Sequence, residues 1–401
     1  MTSRQRILKA LKHKETDRIP VDLGAMDSTG ITAVAYNRLK KYLGIESGRT
    51  RVFDAFQQVC VVEESILKIV NADVLPVFPE PARWKPAVLP DGSFCEIPER
   101  WNPARQADGS ENVFDEEGRI IAKRPANSWY FEPVFFPLAN ATTVKEIESK
   151  KEIFENFDWP FYVDETIEQL GERAKHLYQT TDYALMGNFA VHIFAGGQLL
   201  RGFERFMMDL ILEQKIAQCI VDNLAETYIR RFEKYSRYVG PYVQIVNVND
   251  DLGTQDGLQI SPELYRKLVK PYHQKLFQYI KKNFDGYLFL HSDGSIYEII
   301  PDLIEIGVDI INPVQFTAKN MELEKLKKAF GKDITFWAGG CDTQNILPYA
   351  SPSKVREHVK RCVETLAPEG GFVFCQVHNI QPDVPAQNIM AMYEAVREFH
   401  S

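Results

Sequence analysis

The chain is short of several things, and each shortage excludes something. Its six cysteines, at 60, 95, 219, 341, 362 and 375, include no Cys-x-x-Cys pair. In a chain of 401 residues that argues for reduced thiols and a cytoplasmic setting, with Cys219 and Cys362 read as helix packing. No apolar run approaches membrane-spanning length. The basic N-terminal stretch (Arg4, Arg6, Lys9, Lys12, Lys14) lacks a long apolar core and a cleavage site, so it reads as an amphipathic helix and not as a targeting peptide. Positive charge is scarce too. With 47 Lys and Arg against 55 Asp and Glu, the net charge of −8 disfavours a nucleic-acid partner.

What is present is an alternation of short apolar strands with longer helical patterns. Strands are predicted at Ile19–Asp22, Asp73–Phe78, Tyr183–Gly187, Val243–Val248, Tyr287–His291, Val308–Asn312, Ile334–Ala338 and Phe372–Gln376, each bounded by Gly, Pro, Asn or Asp. Helical periodicity fills gaps between them, at Pro262–Asn283, Ser295–Ile306, Met321–Phe330 and Ser353–Leu366. Ser261-Pro262 and Ser351-Pro352 read as helix starts. Eight such units imply a (β/α)8 TIM barrel formed by residues 1–401 as one domain, with a doubly wound open sheet as the alternative. One segment, 79–166, breaks the rhythm and reads as an aromatic-rich insertion after the second strand. Trp84, Trp101, Trp129, Tyr130, Phe131, Phe135 and Phe136 crowd into it. It is either a satellite core under a long loop or an aromatic lid over the substrate.

In such barrels chemistry sits at the C-terminal strand ends. There the sequence places Asp22 and Asp27; Pro79-Glu80; Asn188 and His192; Asn247, Asn249, Asp250 and Asp251; His291 and Asp293; Asn312 and Gln315; Cys341, Asp342 and Gln344; and His378 with Asn379. Each is weak alone, since loops are polar, but their convergence points to a site. His291, Asp293 and His378 suit a three-ligand zinc set with Cys341 as substitute or fourth ligand, and zinc accepts all three donor types. The alternative is that the two histidines are hydrogen-bonded structural or acid–base groups. His273 reads as structural, and His13, His176, His358 and His400 as solvent-facing.

Several motifs resemble the uroporphyrinogen decarboxylase superfamily: Asp17-Arg-Ile-Pro-Val21, Ala72-Asp73, His291-Ser-Asp-Gly294, Gly339-Gly-Cys-Asp342 and His378-Asn-Ile-Gln-Pro-Asp-Val-Pro385. The resemblance runs nearly the full length and implies a (β/α)8 barrel. It also offers two chemistries. The decarboxylase branch works without metal and carries an Arg-Gln-Ala-Gly-Arg stretch after the first strand, which pairs with substrate carboxylates. Here that stretch reads Asp22-Leu-Gly-Ala-Met-Asp27-Ser-Thr-Gly30, without arginine, and Asp73 matches the branch's catalytic aspartate region only loosely. The other branch is similar to zinc- and corrinoid-dependent methyltransferases, which hold zinc with a His-x-Cys pair and a further Cys. This chain keeps His291 but has Asp293 and His378 at the other two positions. A shell with fewer thiolates suits polarisation of an ether or amine leaving group better than thiol activation.

The resemblance to the second branch therefore implies methyl transfer between a small methylated donor, for example an aromatic methyl ether, and a corrinoid protein. In that reading Asp250, Asp342 and His192 orient substrate or move its proton. Asn188, Asn249, Asn312, Gln315 and Gln344 bind it. A homodimer is compatible with the resemblance. Metal-free decarboxylation is the rival, and an inactive tetrapyrrole carrier a third reading.

Overall fold

The computed structural model describes residues 1–157, 162–189 and 191–399. Its centre is a curled sheet of seven parallel strands whose spatial order follows the chain: β1 Val74–Val77, β2 Ala184–Asn188, β3 Ile245–Asn249, β4 Tyr287–His291, β5 Ile310–Asn312, β6 Thr335–Trp337 and β7 Phe372–Val373. Parallel neighbours need helical crossovers, and helices follow each strand from β2 on, among them Gln214–Tyr238 after β2 and Pro352–Leu366 after β6. The arrangement is TIM-barrel-like. Among the described helices none is long and apolar enough to cross a membrane.

The strand predicted at Ile19–Asp22 is not a regular strand. Pro20 has no N–H to give a ladder, so pairing there shrinks to a single bridge between Val21 and Phe374. That short stretch still touches both sheet edges. Asp73 N donates to Val21 O (2.8 Å), Phe374 N to Pro20 O (2.8 Å) and Asp22 N to Phe374 O (2.9 Å). The curled sheet thus leaves neither edge strand open at this level. The helix predicted over Pro262–Asn283 divides into Pro262–Leu268 and Lys270–Asn283, because Pro271 cannot donate in the helical ladder. Ser261 caps the first by accepting from Leu264 N.

Alternation sorts the strands' side chains. Val74, Ala184, Met186, Ile245, Phe289, Ile310, Trp337 and Val373 pack inside the curl, where Ile7 and Leu11, from and just beyond the helix Ser3–Ala10, plug the N-terminal end. The intervening residues face the helices in the larger core. Arg6, from that plugging helix, is buried and meets Asp73 at 2.7 Å and Asp17 at 2.7 Å. Arg18 adds a second pair to Asp73 at 2.7 Å, and Val21 N donates to it at 3.0 Å. Asp73 therefore sits fully enclosed at the N-terminal end of β1 as a structural anchor.

Between β1 and the helix Ile167–Thr180 the described residues form two antiparallel sheets and two short helices. Trp84–Val88 pairs with Phe94–Pro98, and Glu111–Phe114 with Ile120–Arg124. Turns fall at both hairpin tips, where Gly92 (φ +83°) and Gly118 (φ +78°) take a left-handed backbone. Trp101 is 1% exposed and packs on Phe56, Phe131 and Tyr162, with ring centroids 5.0 to 5.6 Å away. These rings form a satellite core. Trp129 and Phe135 are exposed, and Phe136 packs against Gly202.

Removing Asp73 takes a carboxylate from the buried Arg6 and the half-buried Arg18. Asp73→Ala is expected to cost about 3–5 kcal/mol in chemical denaturation, the range for breaking a buried ion pair, while leaving the C-terminal rim of the sheet unchanged.

Candidate functional site

The C-terminal rim carries a row of polar residues in register. Asn188 lies beside Asn247, and Asn249 beside His291, which lies beside Asn312. All belong to the inward parity of their strands, so the rim closes over the apolar interior with amides and imidazole. Above it opens a cavity of 460 Å³. Asp27, Asp54, Asp251 and Asp293 line it with His192, His291 and His378, and one flank is aromatic: Phe53, Phe56, Phe78, Tyr130 and Tyr162.

Three side chains form the only group among the described residues with metal-ligand spacing. The nearest donor atoms of His291, Asp293 and His378 all lie within 4.8 Å of one another. Asp293 Oδ2 is 3.8 Å from His291 Nε2 and 3.4 Å from His378 Nε2. His291 and Asp293 share a face by period-two spacing at the end of β4. His378 comes from a loop pinned on both sides, since Val377 N donates to Cys341 O (3.0 Å) and Ile380 N to Gly30 O (3.0 Å).

The ring of His291 is held from behind. Its Nδ1 meets Asn312 Oδ1 at 2.8 Å, and Asn312 Nδ2 donates to Trp337 O at 3.1 Å, which fixes the amide's orientation. Ser28 Oγ donates to the same Oδ1 at 2.9 Å. An accepting Oδ1 requires a protonated Nδ1, so Nε2 is the nitrogen turned to the cavity. Burial opposes charge on His291, but Asp293 and Asp251 outweigh it and raise its pKa. His192 goes the other way, since burial lowers its pKa more than Asp250 and Asp251 raise it. Its burial favours the neutral imidazole.

The structure brings together some of the residues singled out in the sequence and separates others. Asn188 and Asn249 line the cavity, and Asn312 stands directly behind His291. Asp250 faces away. It accepts from Ile193, Phe194 and Ala195 N (3.1, 2.7 and 2.6 Å) at the start of the helix Phe194–Arg201 and from His273 Nε2 at 2.7 Å. Its role is to cap that helix, and His273 supports it. Cys341 stands apart from the ligand group. Positive φ at Ala338 and Gly339 turns the chain ahead of it, its thiol is fully enclosed, and burial pushes its pKa well up. Asp342 caps a turn by accepting from Gln344 N (2.7 Å) and Asn345 N (3.1 Å). Asp342, Gln315 and Gln344 border a neighbouring cavity of 390 Å³, which shares Tyr130, Asp293 and His378 with the first. His358 is half-buried and accepts from Asp342 N, and His13 is half-buried beside Gly331 O, while His176 is exposed. His400 lies outside the described residues. Of the seven aromatics expected over the site, Tyr130 alone borders the cavity.

Sequence reasoning placed Asp251 at a strand end without a role and missed Asp54. Asp251 has the parity of Ile245, Asn247 and Asn249, a signal present in the strand pattern. Its Oδ1 lies 3.6 Å from His291 Nε2 and accepts from Asp293 N at 2.9 Å. Burial and then Asp293 raise its pKa, against the pull of His291. Asp54 interrupts the apolar run Val52-Phe-Asp-Ala-Phe56 and accepts from Phe56 N (2.9 Å) and Gln57 N (3.1 Å). Burial, then the facing charge of Asp27, pushes its pKa up to about 7.

Residues 165–399 match the family model described as uroporphyrinogen decarboxylase (URO-D). Curated relatives include "Uroporphyrinogen decarboxylase" of Psychromonas ingrahamii, 24% identical over 52% of this chain and 55% of that protein. Another is that of Trichormus variabilis, 27% identical over 41% of this chain and 44% of that protein. The chain spans about half the length of these relatives, or less. A solved "methyltransferase from Methanosarcina mazei" shares the fold with a TM-score of 0.59 and 15% identity, covering 100% of this chain and 99% of that one.

The raised pKa of Asp54 has a consequence for stability. Between its unfolded pKa of 3.8 and about 7 the folded state binds the extra proton. Its contribution is therefore largest below pH 4 and falls as pH rises through 7. Asp54→Asn keeps the acceptor oxygen but removes the titration. The variant is expected to gain about 1–3 kcal/mol relative to the wild type above pH 7 and nothing at pH 4, as read from denaturation midpoints across that range.

Proposed function

The chain belongs to the uroporphyrinogen decarboxylase family, and we propose that within it this protein moves a methyl group from a small methylated donor to a reduced corrinoid on a partner protein. The donor carries its methyl on an ether oxygen or an amine nitrogen, an aromatic methyl ether being one example. The observation that carries the reading is the pairing of a His291–Asp293–His378 ligand group with a cavity lined by four carboxylates and, among its described lining residues, no lysine or arginine. A porphyrinogen bearing many carboxylates would meet four like charges there and no cationic side chain to pair with. The aspartate nearest the decarboxylase motif, Asp73, is tied to Arg6 and Arg18 at the opposite end of β1 and has no access to the cavity.

Two imidazole nitrogens and a carboxylate oxygen fit zinc, whose catalytic sites keep a fourth position for water or substrate. Zinc held by His291, Asp293 and His378 would supply Lewis acidity toward the electron pair left on the departing oxygen or nitrogen. The protein's own groups do the rest. Asn312 and Ser28 keep His291 Nε2 directed at the cavity. Asp251 offers an oxygen beside that nitrogen. His192, kept neutral by burial, accepts a hydrogen bond from the donor molecule, and Asp27 and Asp54 add two further carboxylates to the lining. The aromatic flank excludes water, with Tyr130 reaching in from the 79–166 insertion as its lid residue.

Metal analysis of the purified protein tests the reading. About one divalent ion per chain is expected in the wild type and its loss in His291→Ala and His378→Ala. In Asn312→Ala, where the ring orientation is freed, metal affinity should fall about 10–100-fold. Methyl transfer from a panel of ethers and amines to reduced cobalamin should disappear with the metal. Metal-free protein in every form, or consumption of uroporphyrinogen under reducing conditions, would overturn the proposal in favour of decarboxylation.

A further inference from the structure

We propose that the donor enters the cavity as a cation, a methylated ammonium group seated between the aromatic flank and the carboxylates. The identity of the group rests on the methyl-transfer reading. Its charge follows from the lining of the cavity.

The carboxylates do not all belong to the ligand group. Asp293, with Asp251 beside it, stands on the His291 side, where a divalent ion would offset their charge. Asp27 and Asp54 come from separate segments of the mouth, and the charge of Asp27 raises the cost of ionising Asp54. Their partners are neutral. Asp54 accepts from two backbone N–H groups, and Asp27 meets the Gln57 amide at 3.5 Å. Gln57 is itself held by Asn379 Nδ2 at 2.8 Å. Facing half-buried carboxylates in a cavity with no cation among its described lining residues repel one another unless a positive ligand relieves them.

The remaining wall suits a cation that cannot donate hydrogen bonds. Phe53 and Phe78 stack with centroids 4.4 Å apart, and Phe56, Tyr130 and Tyr162 continue the surface. The two tyrosine hydroxyls are already engaged. Tyr162 Oη donates to Phe53 O (2.8 Å) and accepts from Ala55 N (2.9 Å), and Tyr130 Oη bonds Asn379 and Gln381. Neither hydroxyl is thus left for a ligand, and the flank meets the cavity with aromatic carbon, of the kind that recognises quaternary ammonium groups elsewhere. A neutral ether gains nothing from Asp27 and Asp54, and a carboxylated donor is repelled by them.

The chemistry balances with such a donor. The carbon–nitrogen bond breaks, its electron pair stays on nitrogen, and the methyl is taken up by the electron pair of cobalt(I) in the reduced corrinoid. The departing amine is neutral, so the attraction that held the substrate is gone when the product forms.

Calorimetric binding to the full-length protein, without corrinoid, separates charge from shape. The probes are choline, its uncharged isostere 3,3-dimethylbutan-1-ol, and 4-methoxybenzoate. Choline is expected to bind at least tenfold more tightly than the isostere, and the benzoate most weakly. Asp27→Asn and Asp54→Asn should each weaken choline severalfold and leave the isostere unchanged, with unaltered circular dichroism as the folding control. Equal binding of choline and the isostere, preference for the benzoate, or no binding of choline overturns the proposal. Charge-selective binding without methyl transfer would sink the methyltransferase reading and leave this inference standing. Methyl transfer from neutral ethers without cation preference would do the reverse.

Discussion

The hydrogen bond between His291 Nδ1 and Asn312 Oδ1 decides which nitrogen of that ring faces the cavity. Imidazole nitrogens are interchangeable until a neighbour distinguishes them, and here the neighbour is a neutral amide whose own orientation is fixed by Trp337 O and Ser28 Oγ. The register of β4 with β5 sets the two residues side by side. Ser28 comes from the loop after the Pro20–Asp22 stretch that joins the sheet edges, so the same closure that completes the curled sheet also delivers a hydroxyl to the back of the ligand. The geometry of the ligand group is in this sense a property of the whole rim.

The cavity above it is polarised. Carboxylates crowd the mouth, one imidazole is held neutral by burial, and another is drawn toward protonation by the acids around it. At the proposed metal site a divalent ion and a proton would compete for His291 Nε2, since the ligand form is the neutral ring. Asp251 matters to that competition because it is the oxygen nearest the nitrogen outside the ligand group, at 3.6 Å.

Much of this was legible from the strand pattern. Seven of the eight predicted strands form the sheet in chain order, and His291, Asp293 and His378 meet as their residue types suggested. The failures have definite causes. Pro20 reduced a strand to one bridge. Asp250 and Asp251 are adjacent and chemically identical, so residue type cannot separate them. Period-two parity can, and it places Asp250 under a helix start and Asp251 in the cavity. Cys341 follows a left-handed turn that removes it from the mouth, a conformation that Gly339 permits but that Ala338 also adopts. Asp54 belongs to a small sheet outside the barrel-like core, which no repeat of the βα rhythm would have located.

Asp73 and Asp293 show how strand direction assigns function to one residue type. Both flank parallel strands of one sheet. Asp73 precedes β1, at the end plugged by the N-terminal helix, and two guanidinium groups together with Val21 N satisfy its oxygens. Asp293 follows β4, where the chain leaves the sheet, and its carboxylate stands against two imidazoles over open space. A parallel sheet has chemically distinct ends because all its chains exit on one side, so variable loops and their polar groups gather there while the other end is packed shut. An aspartate compared by sequence motif alone loses that distinction. Membership of the uroporphyrinogen decarboxylase family thus goes with the fold of this chain, while the charge and donor atoms at the open end of the sheet are what the proposed methyl transfer rests on.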